Sequence, residues 1–345
     1  MVFQEAVDRT RAAQDATAWG RGVVRSALRA AVDGLPASMR LVVGYHLGWW
    51  DERGEPVEAS GGKAVRPALV RLAAEAVGGS ATAAVPAAVA VELVHNFTLL
   101  HDDVLDGDRT RRHRPTAWHV FGVDAAVLAG DAVLALAFDV LAASGHPAAL
   151  AGVRALNAAV LDLVDGEHAD LAFERRDDVG VAECTAMAER KTGGLLACAC
   201  ALGALFGGGG PAAITGLRDF GRLLGVAFQH VDDLLGIWGE PAVTGKPVHA
   251  DLRARKKSLP VVAALTSGTP AGDELAALYR RPPTTEDDLP RVARLVEAAG
   301  GRAWSERQAD LLLEQALRRL DSIGPTPRAA AELTALARAL VHRDR

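Results

Sequence analysis

The chain has 345 residues and a formal net charge of −5, so it offers no basic footprint for nucleic acid. Half of it is hydrophobic, mostly Ala, Leu and Val, and only 5% is aromatic, a balance that favours helices and starves strands of their usual residues. The three cysteines, Cys184, Cys198 and Cys200, are too few and too oddly spaced for a disulfide framework or a zinc site.

The N-terminus, MVFQEAVDRTRAAQD, has acidic residues early and no apolar signal core. No uninterrupted apolar run reads as long enough to cross a bilayer, so the expectation is a soluble, cytoplasmic protein without a membrane span. Residues 1–46 predict one or two amphipathic helices broken at Gly34-Leu35-Pro36. Residues 45–62 are a polar, Gly-rich loop whose Trp49 and Trp50 pack against the body. KAVRP at 63–67 opens a helix with its proline in the first turn, where the missing N–H costs nothing.

Pro86 opens the next helix, which runs into the acidic stretch HDDVLD at 101–106. An arginine-rich polar loop follows over 107–115. Ala-rich helices are predicted over 123–143, 147–172 and 181–206, then a Gly turn at 207–210 and a helix over about 212–238. A Gly/Pro-broken loop at 239–257 leads into Ala/Leu-rich helices to the end, interrupted at Pro282-Pro283 and Pro325–Pro327. There is no strand-period run, no short repeat and no linker long enough to divide domains. The whole chain, 1–345, reads as one all-α domain.

Two acidic clusters carry the chemistry. With ~100° of rotation per residue, Asp102 and Asp106 share a helix face, and like charges stacked that way repel. The second cluster, Asp232-Asp233, lies about 130 residues later and also ends an apolar run, VAFQHVDDLLG. Buried carboxylates need a counter-charge. Two such helices facing each other across a cavity would make a multi-cation site, and Mg²⁺ suits it because that ion takes one or two carboxylates, waters and phosphate oxygens. Lys63, Arg66, Arg111, Arg112, Lys191, Lys246 and Lys256 each stand in or beside a polar break. Metal ions together with several Lys and Arg are what a multiply charged phosphate ligand requires. No phosphate-binding Gly loop of the nucleotide type is present.

Over roughly residues 60–262 these motifs resemble the trans-isoprenyl diphosphate synthase (polyprenyl synthetase) family. The matches run in order: GGKAVRP at 61–67, His95-Asn96, DDVLD at 102–106, RR at 111–112 and RPT at 114–116. GD at 130–131, KT at 191–192, FQ-x-x-DD at 228–233, TGK at 244–246 and D-x-x-x-x-KKSLP at 251–260 complete the series. The resemblance implies an orthogonal helical bundle around a central cavity, and a homodimer. It also implies a Mg²⁺-dependent prenyltransferase that joins isopentenyl diphosphate to an allylic diphosphate.

By the same resemblance, Asp102, Asp106 and Asp232 are the ligands of three Mg²⁺ ions, with Asp103 and Asp233 in support. Arg111, Lys191 and Lys246 contact the allylic diphosphate, with Lys256 nearby. Lys63, Arg66, His95 and Arg112 form the isopentenyl diphosphate site. Thr192 and Gln229 flank the reacting carbon, where a cation develops. Phe97, five residues before Asp102 and therefore about 7.5 Å down the helix, stands with the small Thr98 where a floor would limit product length. One aromatic at this depth resembles synthases of the C20 product, geranylgeranyl diphosphate.

Two departures stand out. Gly236 occupies the place of a third aspartate in the second cluster, and Gly166-Glu167 replaces the usual Gly-Gln. Two alternatives stay open: a terpene cyclase on the same fold, whose metal motif Asp232 with Glu240 at i+8 loosely mimics, and a non-catalytic subunit of a heteromeric synthase, suggested by Gly236.

Overall fold

The computed structural model describes residues 19–57, 64–241, 247–280 and 285–342. Lys63 and Lys246 lie outside them. The described residues are helical almost throughout. In chain order the helices are α1 (Arg25–Asp33), α2 (Ala37–His46), α3 (Val65–Ala76), α4 (Val85–Leu105), α5 (Ala117–Phe121), α6 (Val123–Ala142), α7 (Ala149–Phe173) and α8 (Val181–Ala188). They continue with α9 (Gly194–Phe206), α10 (Pro211–Trp238), α11 (Ala250–Arg253), α12 (Leu259–Leu265), α13 (Pro270–Tyr279), α14 (Leu289–Ala298), α15 (Gly301–Ser322) and α16 (Pro327–Val341). A π-helical turn, Glu189–Gly193, joins α8 to α9.

The expected break at Gly34-Leu35-Pro36 separates α1 from α2, and Pro86 stands in the first turn of α4 as read. The loop after α4 departs from expectation. Thr110–Arg111 (β1) and Arg114–Pro115 (β2) pair antiparallel, in the register Thr110↔Pro115 and Arg111↔Arg114. Four residues are too short to leave a period in a sequence, which is why the hairpin was missed.

Contacts divide the chain into two compact units. The first comprises residues 1–158, 198–218 and 323–336. Within it, α4 and α6 form the most extensive helix pair. In α3 every residue from Pro67 to Ala74 is buried, including Arg71. The Arg71 guanidinium is matched by Glu75 at 2.8 Å and Glu332 at 2.6 Å, so this buried charge is paired as it must be.

Helix α6 bears on the reading of apolar runs. It has 20 residues and a mean hydropathy of 2.0, long and apolar enough by length and composition to cross a membrane. It is also interrupted by Asp124, Asp131 and Asp139 and buries Ala126, Ala129, Gly130, Val133, Ala137 and Leu141. That is the pattern of a helix buried along one stripe, with apolar residues such as Val123 and Leu128 left exposed.

The second unit comprises residues 159–197, 219–322 and 337–345. Two hydrophobic clusters organise it, and α12 contributes to both. Leu259 and Val262 join Phe173, Val179, Cys184, Met187 and Ala188. Val261 and Ala264 join Ile237, Leu252, Leu275, Val292 and Val296. Anchoring opposite sides of one short helix fixes the segment just before it, which carries Lys256, Lys257 and Ser258. All three cysteines are free and buried.

Candidate active site

In the first unit, Asp102 and Asp106 stand at the C-terminal end of α4, and the Asp106 N–H closes the last turn on the Asp102 carbonyl at 2.8 Å. Carboxylates at i and i+4 repel, and the negative end of the helix dipole adds to that repulsion. Both are accessible, Asp102 partly and Asp106 fully. Asp103 is different. It is 1% exposed, and Arg111 Nε donates to its Oδ1 at 2.7 Å. Neighbours on a helix point about 100° apart, so the middle aspartate turns into the unit and anchors an arginine.

The hairpin presents the arginines. Its two central residues, Arg112 and His113, have φ of 51° and 61°. Left-handed backbone at both positions is what a two-residue hairpin loop demands, and glycine or asparagine is its usual tenant. Each side chain here costs about 1–2 kcal/mol, strain of the kind that persists where function needs a fixed direction. The flanking residues hold the loop in place. Arg114 donates to the carbonyls of Tyr45 and Trp50, both at 3.1 Å, and stacks 4.5 Å from the Tyr45 ring centre. Thr116 Oγ1 and Trp118 Nε1 both donate to the Asp108 carbonyl at 2.8 Å.

A cavity of about 310 Å³ opens here, lined among others by His46, Asp103, Arg111, Arg112, His113 and Arg114. Burial, then the guanidinium groups of Arg111 and Arg112, push the His46 imidazole down to about 3. Burial also drives His95 well below the usual histidine value, with Arg66, Arg112 and Arg111 adding to it. Both rings are therefore neutral at pH 7, and the positive charge beside them is that of the arginines. Burial raises the Glu92 carboxyl, opposed by Arg66 and Arg112. Asn96 Nδ2 donates to the Glu92 carbonyl at 2.7 Å. Glu92 and His46 were not singled out from the sequence. For Glu92 a signal existed, since it lies three residues before His95 on the same helix face.

Phe97 is 7% exposed and meets His101 edge-on at 4.8 Å between ring centres. Thr98 Oγ1 donates to the His95 carbonyl at 2.8 Å.

In the second unit, Lys191 and Thr192 lie on the π-helical turn. Such turns widen a helix by one residue and recur at functional sites. Gly166 lets α7 approach this turn closely, because a Cβ there would stand 2.6 Å from the Lys191 backbone nitrogen. The approach puts Lys191 Nζ between Glu167 Oε2 at 2.7 Å and Asp170 Oδ2 at 2.6 Å. Thr192 Oγ1 donates to Gln229 Oε1, and Gln229 Nε2 donates to Asp233 Oδ1 at 2.7 Å. The other Asp233 oxygen accepts the Leu259 N–H at 2.9 Å. Asp233, 3% exposed, is thus the hub of a network joining α10, α12 and the π turn, while Asp232 is exposed.

Lys256 and Lys257 point to different jobs. Lys257, 5% exposed, donates to the carbonyls of Phe173 and Arg176 near the end of α7. Lys256 Nζ is 4.0 Å from Asp233. Burial alone would lower its ammonium, but Asp233, Asp251, Asp170 and Asp232 hold it well above the usual lysine value. Burial pushes Asp233 up to about 7 against that lysine's pull.

Among the described residues, five carboxylates, Glu167, Asp170, Asp232, Asp233 and Asp251, therefore lie around two lysines, Lys191 and Lys256. That surplus of hard oxygen donors fits a divalent cation such as Mg²⁺. Among the described residues no three His, Cys, Asp or Glu side chains converge as a ready-made cage. Mg²⁺, which keeps waters and takes substrate phosphate oxygens, needs none.

A family model described as polyprenyl synthetase matches residues 49–296. The chain belongs to that family. Its relatives include the (2E,6E)-farnesyl diphosphate synthase of Mycobacterium tuberculosis, 48% identical over 93% of this chain and 91% of that protein. They also include the geranylgeranyl diphosphate synthase of the same organism, 46% identical over 92% and 90%. Among solved structures, the polyprenyl synthetase of Streptomyces coelicolor A3(2) matches with a TM-score of 0.91 and 46% identity, covering 95% of this chain and 99% of that one. The fold is accordingly the all-α isoprenoid synthase fold, as the resemblance implied.

Proposed function

We propose that this trans-prenyltransferase condenses isopentenyl diphosphate with an allylic diphosphate, using Mg²⁺, and that its product is geranylgeranyl diphosphate. The observation that carries the reading is the surplus of carboxylates over lysines around Lys191 and Lys256 among the described residues, together with the accessible like-charged pair Asp102 and Asp106. In this reading Asp102, Asp106 and Asp232 hold the ions, three in number, and the ions when bound neutralise the leaving diphosphate without proton transfer.

The chain's own residues do the rest. Arg111, Lys191 and Lys246, with Lys256 nearby, take the charge that develops on the diphosphate as the allylic C–O bond breaks. Thr192 and Gln229 turn dipoles toward the resulting cation, where a nucleophile would trap it. Lys63, Arg66, His95 and Arg112 hold isopentenyl diphosphate so that its double bond attacks that carbon. The proton lost in forming the new double bond goes to the departing diphosphate, so no separate base is required. The exposed apolar residues Val123 and Leu128 of α6 support a homodimer. The two units are read as one synthase domain.

The product length rests on Phe97, buried as a floor requires. The farnesyl-named relatives favour the shorter C15 product instead. Incubation with Mg²⁺, radiolabelled isopentenyl diphosphate and each allylic primer, followed by chromatography, decides. Label in the C20 product supports the reading, a C15 stop corrects the length, and no incorporation with any primer overturns the activity. Phe97→Ala lengthens the products; an unchanged distribution removes Phe97 as the floor.

A further inference from the structure

We infer that Asp251 supplies the carboxylate that the second acidic cluster lacks at Gly236, and that residue 236 is glycine so that Asp251 can enter. The inference rests on the metal-dependent reading above and deepens it.

Residues 232 and 236 lie one turn apart on α10 and share a face. A side chain at 236 would therefore stand beside Asp232, just as Asp106 stands beside Asp102. That space is taken. A Cβ at 236 would meet Asp251 Oδ2 at 2.3 Å, Cγ at 2.5 Å and Oδ1 at 2.7 Å. The whole carboxylate of Asp251 lies where the missing side chain would begin, so the face again carries two carboxylates.

The segment bearing Asp251 is pinned to α10. The His249 N–H donates to the Ile237 carbonyl at 3.2 Å, and Leu252 shares a buried cluster with Ile237. The Lys256 N–H donates to the Asp251 carbonyl at 2.9 Å. His249 and Arg255, which bracket α11, both have left-handed backbone, with φ of 62° and 54°. Strain in two non-glycine residues around a four-residue helix is consistent with a segment whose direction is imposed by what it must present. At i+4 the helix itself would have delivered an aspartate; here a separate segment delivers it.

The test is divalent-ion binding, measured from the electron paramagnetic resonance signal of free Mn²⁺ with inorganic pyrophosphate present. Asp251→Asn, which keeps the shape, lowers Mn²⁺ affinity roughly tenfold, in the range for loss of a group at or next to a metal shell. Returning the carboxylate to the helix with Gly236→Asp combined with Asp251→Ala restores affinity to within about threefold of the parent. Thermal melting of the metal-free variants checks that each is folded. Parental affinity in Asp251→Asn, or no recovery in a folded double variant, overturns the inference. Asp232→Asn separates the two layers. If it releases Mn²⁺ while Asp251→Asn does not, only the role of Asp251 falls. If neither changes binding, the metal-dependent reading falls with it.

Discussion

The two acidic clusters use the same pair of letters differently from what the pair suggests, and alike in both places. In each, the first aspartate is accessible and the second is buried. Asp103 anchors Arg111, and Asp233 gathers Gln229, the Leu259 N–H and Lys256. The clusters differ in how the carboxylate one turn on is supplied. In the first it is Asp106, on the helix; in the second the helix offers Gly236, with Asp251 lying over it. A helix face, then, is defined by what occupies it, and the occupant need not belong to the helix.

The division between accessible and buried aspartates makes opposite predictions for neighbouring substitutions. Asp102→Asn and Asp232→Asn lower turnover roughly a hundredfold or more, with melting unchanged or slightly raised in Asp102→Asn because a like-charge pair is relieved. Urea unfolding of the metal-free protein measures the other side. Asp103→Asn and Asp233→Asn lose about 1–3 kcal/mol of stability, because each leaves buried donors facing an amide. Should the buried pair prove neutral to stability, or the exposed pair neutral to turnover, the division fails.

Smaller effects sharpen the comparison. Lys191 is shared between Glu167 and Asp170, whereas Arg111 answers to Asp103. Glu167→Gln removes one competitor for the Lys191 charge. Calorimetry with inorganic pyrophosphate and no metal shows roughly two- to fivefold tighter binding; equal affinity means that Glu167 does not restrain the lysine. His46 gives a pH signature in the first unit. Its folded value of about 3 lies below the usual 6.5, so the unfolded chain takes the proton first. Stability contributed by the neutral ring is present above pH 6.5 and is lost as the pH falls toward 3. Denaturant midpoints across that range fall less steeply in His46→Gln; parallel slopes would mean that the ring is not held neutral by the fold.

The candidate site residues were read from features that are written locally. The i and i+4 spacing of Asp102 and Asp106, the proline opening α4 and the order of the Lys and Arg motifs depend on residues close in sequence. Motif position alone separated Lys256 from Lys257; in the structure one lysine faces carboxylates and the other closes the end of α7. Asp251 was quoted within a motif and given no task. Glu92 and His46 passed unnoticed because each looks ordinary until Arg66 and Arg112, or the hairpin arginines, are brought beside it.

The sequence by itself determined the all-α class and the family, since composition, periodicity and motif order are properties of neighbouring residues. Only the tertiary structure decided which aspartate of each pair is buried, that a π turn carries Lys191, that Arg112 and His113 take left-handed backbone, and that Asp251 lies over Gly236. Each of those outcomes depends on segments far apart in the chain competing for the same space, and burial is settled by that competition rather than by any one segment.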